Sequence, residues 1–106
     1  MLSLEWRPRA QLDRESIALY LGFERDNPQA ALKVVGEIDR VLDQARELPG
    51  IGKPFQHEAL EGAGYRQLLV GSYVVLYRND ERVLTVYRVL HQRQDIDDYA
   101  LVEFVH

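Results

Sequence analysis

Residues 65–91 read YRQLLVGSYVVLYRNDERVLTVYRVLH, and this stretch decides the fold. Three runs rich in β-branched and aromatic residues, at 65–70, 73–78 and 83–91, are separated by turn signals. Gly71-Ser72 suits a two-residue hairpin turn, and residues 79–82 suit a longer one. The stretch therefore predicts a three-stranded antiparallel meander.

The two turns also predict how the strands pair. Val70 is expected opposite Tyr73, and Arg78 opposite Val83. Both faces of such a sheet are largely apolar, so one face must pack on the rest of the chain and the other is a candidate surface for a partner. One predicted face carries Arg66, Leu68, Val70, Tyr73, Val75, Tyr77, Leu84, Val86, Arg88 and Leu90, and the other carries Gln67, Leu69, Val74, Leu76, Arg78, Val83, Thr85, Tyr87, Val89 and His91.

The residues before the meander predict a strand and a helical hairpin. Residues 2–6 alternate apolar and polar side chains, as in a half-buried strand. Apolar residues at helical spacing predict one helix over about 9–24 and a second over about 28–48. Asn27 is the expected N-cap of the second helix, with Pro28 in its first turn. The short link between the helices makes the hairpin antiparallel.

Two segments carry weaker patterns. Residues 49–63 predict a long loop, and residues 94–102 predict a short helix or an extended tail. The predicted fold class is therefore α+β. It consists of an N-terminal strand, an antiparallel helical hairpin and a three-stranded antiparallel meander forming one sheet, with a short C-terminal helix or tail. The whole chain, residues 1–106, is expected to form a single domain.

Composition narrows the possible functions. The chain has 106 residues, 13 basic and 17 acidic, for a formal charge of −4. It has no cysteine, which excludes disulfides, thiolate zinc sites and cysteine nucleophiles. No apolar run is long enough to span a membrane, and no secretory signal is evident, so we expect a cytoplasmic protein. The charge is uneven, because residues 64–93 contain five arginines and two acids, whereas residues 94–106 contain four acids and no Lys or Arg.

The side chains that suit acid–base or electrostatic chemistry lie on the predicted sheet. Histidine titrates near neutrality, arginine binds phosphate or carboxylate, and tyrosine suits stacking or an interface. Each also has a structural reading, as a strand-end residue, a local ion pair or core packing, and the residues alone leave both open. We expect no metal site, since His57-Glu58 lacks a second histidine, and no cofactor motif is present. The candidates are His91, the arginines Arg66, Arg78 and Arg88, and the tyrosines Tyr73, Tyr77 and Tyr87.

A family resemblance adds to this reading. Its carriers are Ala10-x-x-Asp13 with Ile17 and Tyr20, Asn27-Pro28-x-Ala30-Ala31, Leu48-Pro49-Gly50-x-Gly52, Gly64-Tyr65-Arg66, Gly71-Ser72-Tyr73-Val74-Val75-Leu76-Tyr77-Arg78 and Arg88-Val89-Leu90-His91-Gln92-Arg93-Gln94-Asp95. Their order and spacing, from Leu4 to about Tyr99, resemble RelE/ParE superfamily toxins of bacterial type II toxin–antitoxin pairs. The resemblance implies a helical hairpin on an antiparallel sheet, and a cognate antitoxin that wraps the toxin.

The superfamily has two branches with different targets. RelE-like toxins are ribosome-dependent mRNA endonucleases, and ParE-like toxins inhibit DNA gyrase without chemistry of their own. RelE-like toxins generally place cations at the positions that match Val74 and Gln92 here, and only two lysines, Lys33 and Lys53, are present. Because these departures remove the cations that would stabilise a scissile phosphate, the resemblance favours the ParE-like branch.

These considerations give one preferred function and two alternatives. We expect a ParE-like inhibitor that binds DNA gyrase, is not an enzyme and needs no cofactor. It is neutralised by an acidic, apolar antitoxin segment and shows no sequence-specific nucleic-acid binding. The first alternative is a RelE-like mRNA endonuclease with Arg66, Arg78 and His91 as its catalytic set, and the second is a degenerate toxin that only binds antitoxin. Candidate contacts to antitoxin or target are Arg66, Tyr73, Tyr77, Arg78, Arg88, His91 and Arg93.

Overall fold

The computed structural model describes residues 1–57, 60 and 62–92. The predicted C-terminal helix or tail, and Arg93, lie outside these residues. Along the chain the elements are β1 (Ser3–Trp6), α1 (Pro8–Leu19), a π-helical turn (Tyr20–Glu24), α2 (Pro28–Glu47), a 3₁₀ turn (Pro49–Ile51), β2 (Lys53–Pro54), β3 (Arg66–Val70), β4 (Tyr73–Asn79) and β5 (Val83–His91).

The two helices form the predicted antiparallel hairpin. Arg14 of α1 binds Asp39 of α2, with Nη2 2.7 Å from a carboxylate oxygen, while the other ends meet at the short link. The α2 helix begins as predicted, because the Asn27 side chain accepts a hydrogen bond from the N–H of Ala30 at 3.1 Å. The hairpin therefore presents one buried stripe, from both helices, to the sheet.

The sheet contains the predicted meander and is wider than it. The strand order is β1-β5-β4-β3-β2. β1 runs parallel to β5, and the remaining neighbours are antiparallel. The predicted loop at 49–63 is more ordered than expected, because its first residues form the 3₁₀ turn and Lys53–Pro54 pairs with β3. The predicted N-terminal strand is therefore confirmed as β1 at one edge, and β2, which was not predicted, forms the other edge.

The predicted pairing of β3 with β4 is confirmed, whereas that of β4 with β5 is wrong. Val70 lies opposite Tyr73, but Arg78 lies opposite Thr85 rather than Val83. The β4–β5 register shifts between Leu76 and Tyr77, where one residue of β5 is extra. Such a β-bulge reverses the face on which every later residue of the strand lies.

The bulge corrects the predicted faces at the end of β5. Val89 packs in the cluster beneath the helices, whereas Leu90 packs on the opposite face with Leu76. His91 lies opposite Tyr73, which packs against the helix-side cluster, so His91 shares that side. The prediction had placed each of these three β5 residues on the other face.

The core has two parts, one on each face of the sheet. The larger part joins the hairpin to the sheet, and the smaller lies where the loop before β3 covers the second face. The second face is thus partly covered by the chain itself. The larger cluster is Ala10, Ile17, Ile38, Leu42, Ala45, Val70, Val75, Tyr77, Leu84, Val86 and Val89; the smaller is Leu60, Tyr65, Leu76 and Leu90.

Candidate functional site

A cleft of about 850 Å³ opens between the helical hairpin and one end of the sheet. The helices supply one wall, and the β3–β4 turn and the end of β5 supply the other. Its lining is mainly apolar, with polar groups at the margin. The lining residues are Asp13, Ser16, Ile17, Tyr20, Leu21, Arg25, Lys33, Val34, Glu37, Val70, Gly71, Ser72, Tyr73, Val89 and His91.

The cleft carries two cations that no carboxylate neutralises directly. Within the described residues, Arg25 and Lys33 form no ion pair. Glu37 is engaged instead by Arg40, whose hydrogen bond and positive charge lower the Glu37 pKa below its usual value, with a smaller contribution from Lys33. The cleft is therefore apolar with a positive margin, which suits an acidic, apolar ligand.

The sheet side of the cleft holds an aromatic pair. The Tyr73 and His91 rings meet edge to face, with centroids 5.3 Å apart. Burial raises the pKa of the Tyr73 phenol, and the nearby Tyr20 raises it further. Tyr73 therefore stays protonated across physiological pH and presents an uncharged surface to the cleft.

A buried ion pair lies at the base of the same region. Arg88 is 6% exposed, and its Nε is 2.7 Å from a carboxylate oxygen of Asp13 on α1. The same oxygen accepts the N–H of Val89 at 2.9 Å. Arg88 thus joins α1 to β5, and a charge reversal at Arg88 would first disrupt this buried pair.

The opposite face of the sheet carries an arginine held between tyrosines. The Arg78 guanidinium carbon lies 4.9 Å from the Tyr65 ring centre and 5.3 Å from that of Tyr87. Arg78 Nη2 donates to the Tyr87 hydroxyl at 3.0 Å. Arg7, just after β1, lies 5.6 Å from the Tyr87 ring centre. These four residues form a row that we call the arginine–tyrosine row.

Arg66 contacts the loop after α2, away from both the cleft and the arginine–tyrosine row. Its Nη1 donates to the Gly52 carbonyl at 2.8 Å, and the Gly52 N–H donates to the Tyr77 hydroxyl at 3.0 Å. The Tyr77 hydroxyl in turn donates to the Pro49 carbonyl. Burial raises the pKa of Tyr77, which keeps this donor protonated. The arrangement anchors the loop after α2 to the sheet.

The structure does not bring Arg66, Arg78 and His91 together. Arg66 lies opposite Tyr77 and His91 opposite Tyr73, four residues apart on β4, which is about 13 Å along a strand. Arg78 projects from the other face. The predicted register had put Arg78 and His91 on one face and Arg66 on the other, and the bulge in β5 is the reason for the correction.

Several residues at these sites were not among the candidates predicted from the sequence. Arg7 carried a readable signal, because it continues the alternation of β1 onto the face opposite Trp6. Asp13 appeared in the family resemblance without a role. Arg25 and Lys33 gave no local signal, since only the packing of the hairpin on the sheet brings them to the cleft.

The described residues contain neither a membrane-spanning helix nor a cluster of metal ligands. Among residues 1–57, 60 and 62–92, no helix has the length and apolarity needed to cross a membrane. In the same part of the chain, no group of three or more His, Asp or Glu side chains is placed to hold a metal ion.

Known proteins resemble this chain over most of its length. The family model described as the ParE toxin of the type II toxin–antitoxin system parDE matches residues 4–96. A toxin ParE1 of Mycobacterium tuberculosis is 34% identical over 76 residues, covering 71% of this chain and 74% of that protein. A toxin ParE1 of Caulobacter vibrioides is 36% identical over 84 residues, covering 79% and 82%.

Solved structures share the fold. A chain of the chromosomal ParDE system from P. aeruginosa superposes with a TM-score of 0.66 at 23% identity, covering 86% of this chain and 96% of that one. A chain of the RelBE2 toxin–antitoxin complex from Mycobacterium tuberculosis gives a TM-score of 0.59 at 22% identity, covering 85% and 96%. The family match, the relatives and the shared fold agree. The chain belongs to the ParE toxin family of type II toxin–antitoxin systems, within the RelE/ParE superfamily.

Proposed function

We propose that this toxin acts in the cytoplasm by binding DNA gyrase and blocking its turnover, without chemistry of its own. The separation of Arg66, Arg78 and His91 carries the proposal. A nuclease site needs its groups around one scissile phosphate, within hydrogen-bond reach of the reacting atoms. These three side chains lie on two faces and at two ends of the sheet, so a binding mechanism accounts for them better than catalysis does.

The three residues are also engaged in other contacts. Arg66 holds the loop after α2, Arg78 packs between two tyrosines, and His91 packs against Tyr73. Val74 and Gln92 stand where the nuclease branch generally has cations. Membership of the ParE family agrees with the same branch.

A supercoiling assay tests the proposal. Purified toxin should abolish supercoiling of relaxed plasmid by gyrase in a dose-dependent manner, and should leave a topoisomerase I reaction unaffected. Full supercoiling at saturating toxin would refute gyrase as the target. Toxin-dependent cuts in translated mRNA, seen by primer extension, would instead support the RelE-like alternative. Absence of growth arrest on expression without antitoxin would indicate a degenerate toxin.

We further propose that the cognate antitoxin occupies the cleft. The cleft offers apolar side chains together with the cations Arg25 and Lys33, which complement an acidic, apolar segment that folds on binding. The solved relatives with this fold come from toxin–antitoxin systems.

The antitoxin site can be tested with cleft variants. Tyr20→Ala combined with Lys33→Glu removes an aromatic contact and reverses a charge at the cleft. We expect the affinity for the antitoxin encoded beside the toxin to fall at least tenfold by calorimetry. Leu32→Ala, on the neighbouring residue of α2 that does not line the cleft, is the control. Equal affinities for both variants would place the antitoxin elsewhere.

A further inference from the structure

The arginine–tyrosine row holds its two arginines over tyrosine rings. Arg14, Arg40, Arg46 and Arg88 form ion pairs with carboxylates. Within the described residues, Arg7 and Arg78 form none and instead lie over tyrosine rings. Among the residues that the structure describes, no carboxylate therefore forms an ion pair that cancels their positive charge.

The tyrosines fix the position of these two charges. Arg78 is held by two rings, by the Tyr87 hydroxyl and by the carbonyl of Ala63, which Nη1 reaches at 3.3 Å. Since Arg7 and Arg78 both lie over Tyr87, their guanidinium carbons are no more than about 11 Å apart. An arginine fixed in this way loses less conformational freedom when it binds an anion.

Arg78 and Arg7 are exposed, so an anion can reach the row. Glu5 lies on the same face, about 10 Å across the sheet from Arg78 and two residues before Arg7. Guanidinium groups bind phosphate through N–H donors, and tyrosine rings offer aromatic surface on which a base can stack. The row thus combines the two elements found in sites for single-stranded nucleic acid.

We propose that Arg7 and Arg78, held on the rings of Tyr87 and Tyr65, bind the phosphate backbone of a DNA strand without sequence preference. The proposal rests on the proposed function, because gyrase is the enzyme that would bring such a strand to the toxin. The row lies on the opposite face of the sheet from the cleft. Target DNA and antitoxin therefore meet different surfaces of the molecule.

Fluorescence anisotropy with a labelled single-stranded DNA 20-mer tests the site. We expect Arg7→Gln with Arg78→Gln to weaken binding about tenfold at low salt and to reduce the slope of log K against log salt by about 1.4. Arg40→Gln, which removes an exposed arginine of α2, should change neither value. Arg78→Lys keeps the charge and should restore part of the affinity lost in Arg78→Gln, and thermal unfolding confirms that each variant is folded.

Several outcomes would overturn the proposal. These are no DNA binding by the unmodified toxin, an unchanged salt slope in the double variant, or an equal loss in Arg40→Gln. An RNA 20-mer that binds more tightly than DNA would overturn the assignment to DNA, and equal competition by polyglutamate would indicate an acidic protein partner instead.

The gyrase proposal and the proposed DNA-binding site can be refuted independently of each other. If DNA binding depends on Arg7 and Arg78 while supercoiling is unaffected by the toxin, the site stands and gyrase is not the target. If the toxin blocks gyrase and the double variant still binds DNA normally, the gyrase proposal stands and the site is wrong.

Discussion

The pairing of Asp13 with Arg88 shows how much one contact can hold. The carboxylate receives two guanidinium bonds and one backbone N–H, and both side chains are nearly buried. Asp13→Asn keeps the shape but removes the counter-charge that Asp13 supplies to the buried Arg88. We expect a loss of about 3–5 kcal/mol in the free energy of unfolding, measured by urea denaturation.

A second ion pair of the same helix provides the control. Arg14 and Asp39 also join two elements, but their side chains are 33% and 48% exposed. Solvent screens such a pair, so Asp39→Asn should cost only about 0.2–1 kcal/mol. Similar losses in the two variants would mean that burial does not set the strength of the Asp13–Arg88 contact.

At the scale of elements, the loop after α2 depends on a glycine. A Cβ at residue 52 would lie 2.7 Å from Cε1 and 2.9 Å from Cζ of Tyr77, and that ring is fully buried. Gly52→Ala should therefore destabilise the protein by about 1–3 kcal/mol, as overpacking does. Gly50→Ala, in the adjoining turn with open space around its Cβ, should be close to neutral. Urea denaturation of both variants is the measurement. A loss in Gly52→Ala alone indicates crowding against Tyr77, whereas equal losses would mean that the loop tolerates alanine at neither position.

The β4–β5 turn predicts a pH effect. The Asp80 carboxylate accepts the N–H groups of Arg82 and Val83 at 2.7 and 2.8 Å, and these bonds lower its pKa below the ordinary value of 3.8. A pKa lowered by folding stabilises the protein above the unfolded-state pKa, and this contribution is lost as the pH falls through the folded-state pKa. The urea midpoint of Asp80→Asn should therefore lie below that of the unmodified protein at pH 6, and the gap should narrow below about pH 4. Glu81→Gln serves as the control, and a gap that stays constant with pH would contradict the prediction.

The same elements show what the sequence could and could not predict. The α2 helix was predictable because a cap, a proline and an unbroken apolar stripe all indicate the same start and face. The register of β5 beyond the bulge was not, because both faces of that strand are apolar. A shift of one residue there exposes no polar mismatch that a reader of the sequence would detect. The same bulge determines on which face of the sheet His91 lies. The sequence therefore predicted which residues are candidates for the site, but not how they are arranged in space.

At the scale of the whole molecule, the sheet separates two surfaces. The cleft lies on the helix side, whereas the arginine–tyrosine row lies on the other. If the antitoxin binds the cleft and the target complex binds the arginine–tyrosine row, mutations should be able to abolish antitoxin binding and toxicity independently. Tyr20→Ala with Lys33→Glu should then still arrest growth and resist rescue by antitoxin. Arg7→Gln with Arg78→Gln should arrest growth less and still bind antitoxin with unchanged affinity.

Plating cells that express each toxin variant, with and without the antitoxin, measures both effects at once. The Leu32→Ala variant should behave as the unmodified toxin in both conditions, because its side chain lies outside the two surfaces. Arg40→Gln frees the cleft residue Glu37, so it is the control for toxicity without antitoxin only. If either double variant loses toxicity and antitoxin binding together while remaining folded, the two partners share one surface. Neutralisation would then be direct occlusion of the target site. If one double variant loses only toxicity and the other loses only antitoxin binding, the antitoxin neutralises the toxin from the opposite side of the sheet. It would then act by steric hindrance of the target complex or by stabilising an inactive conformation of the toxin.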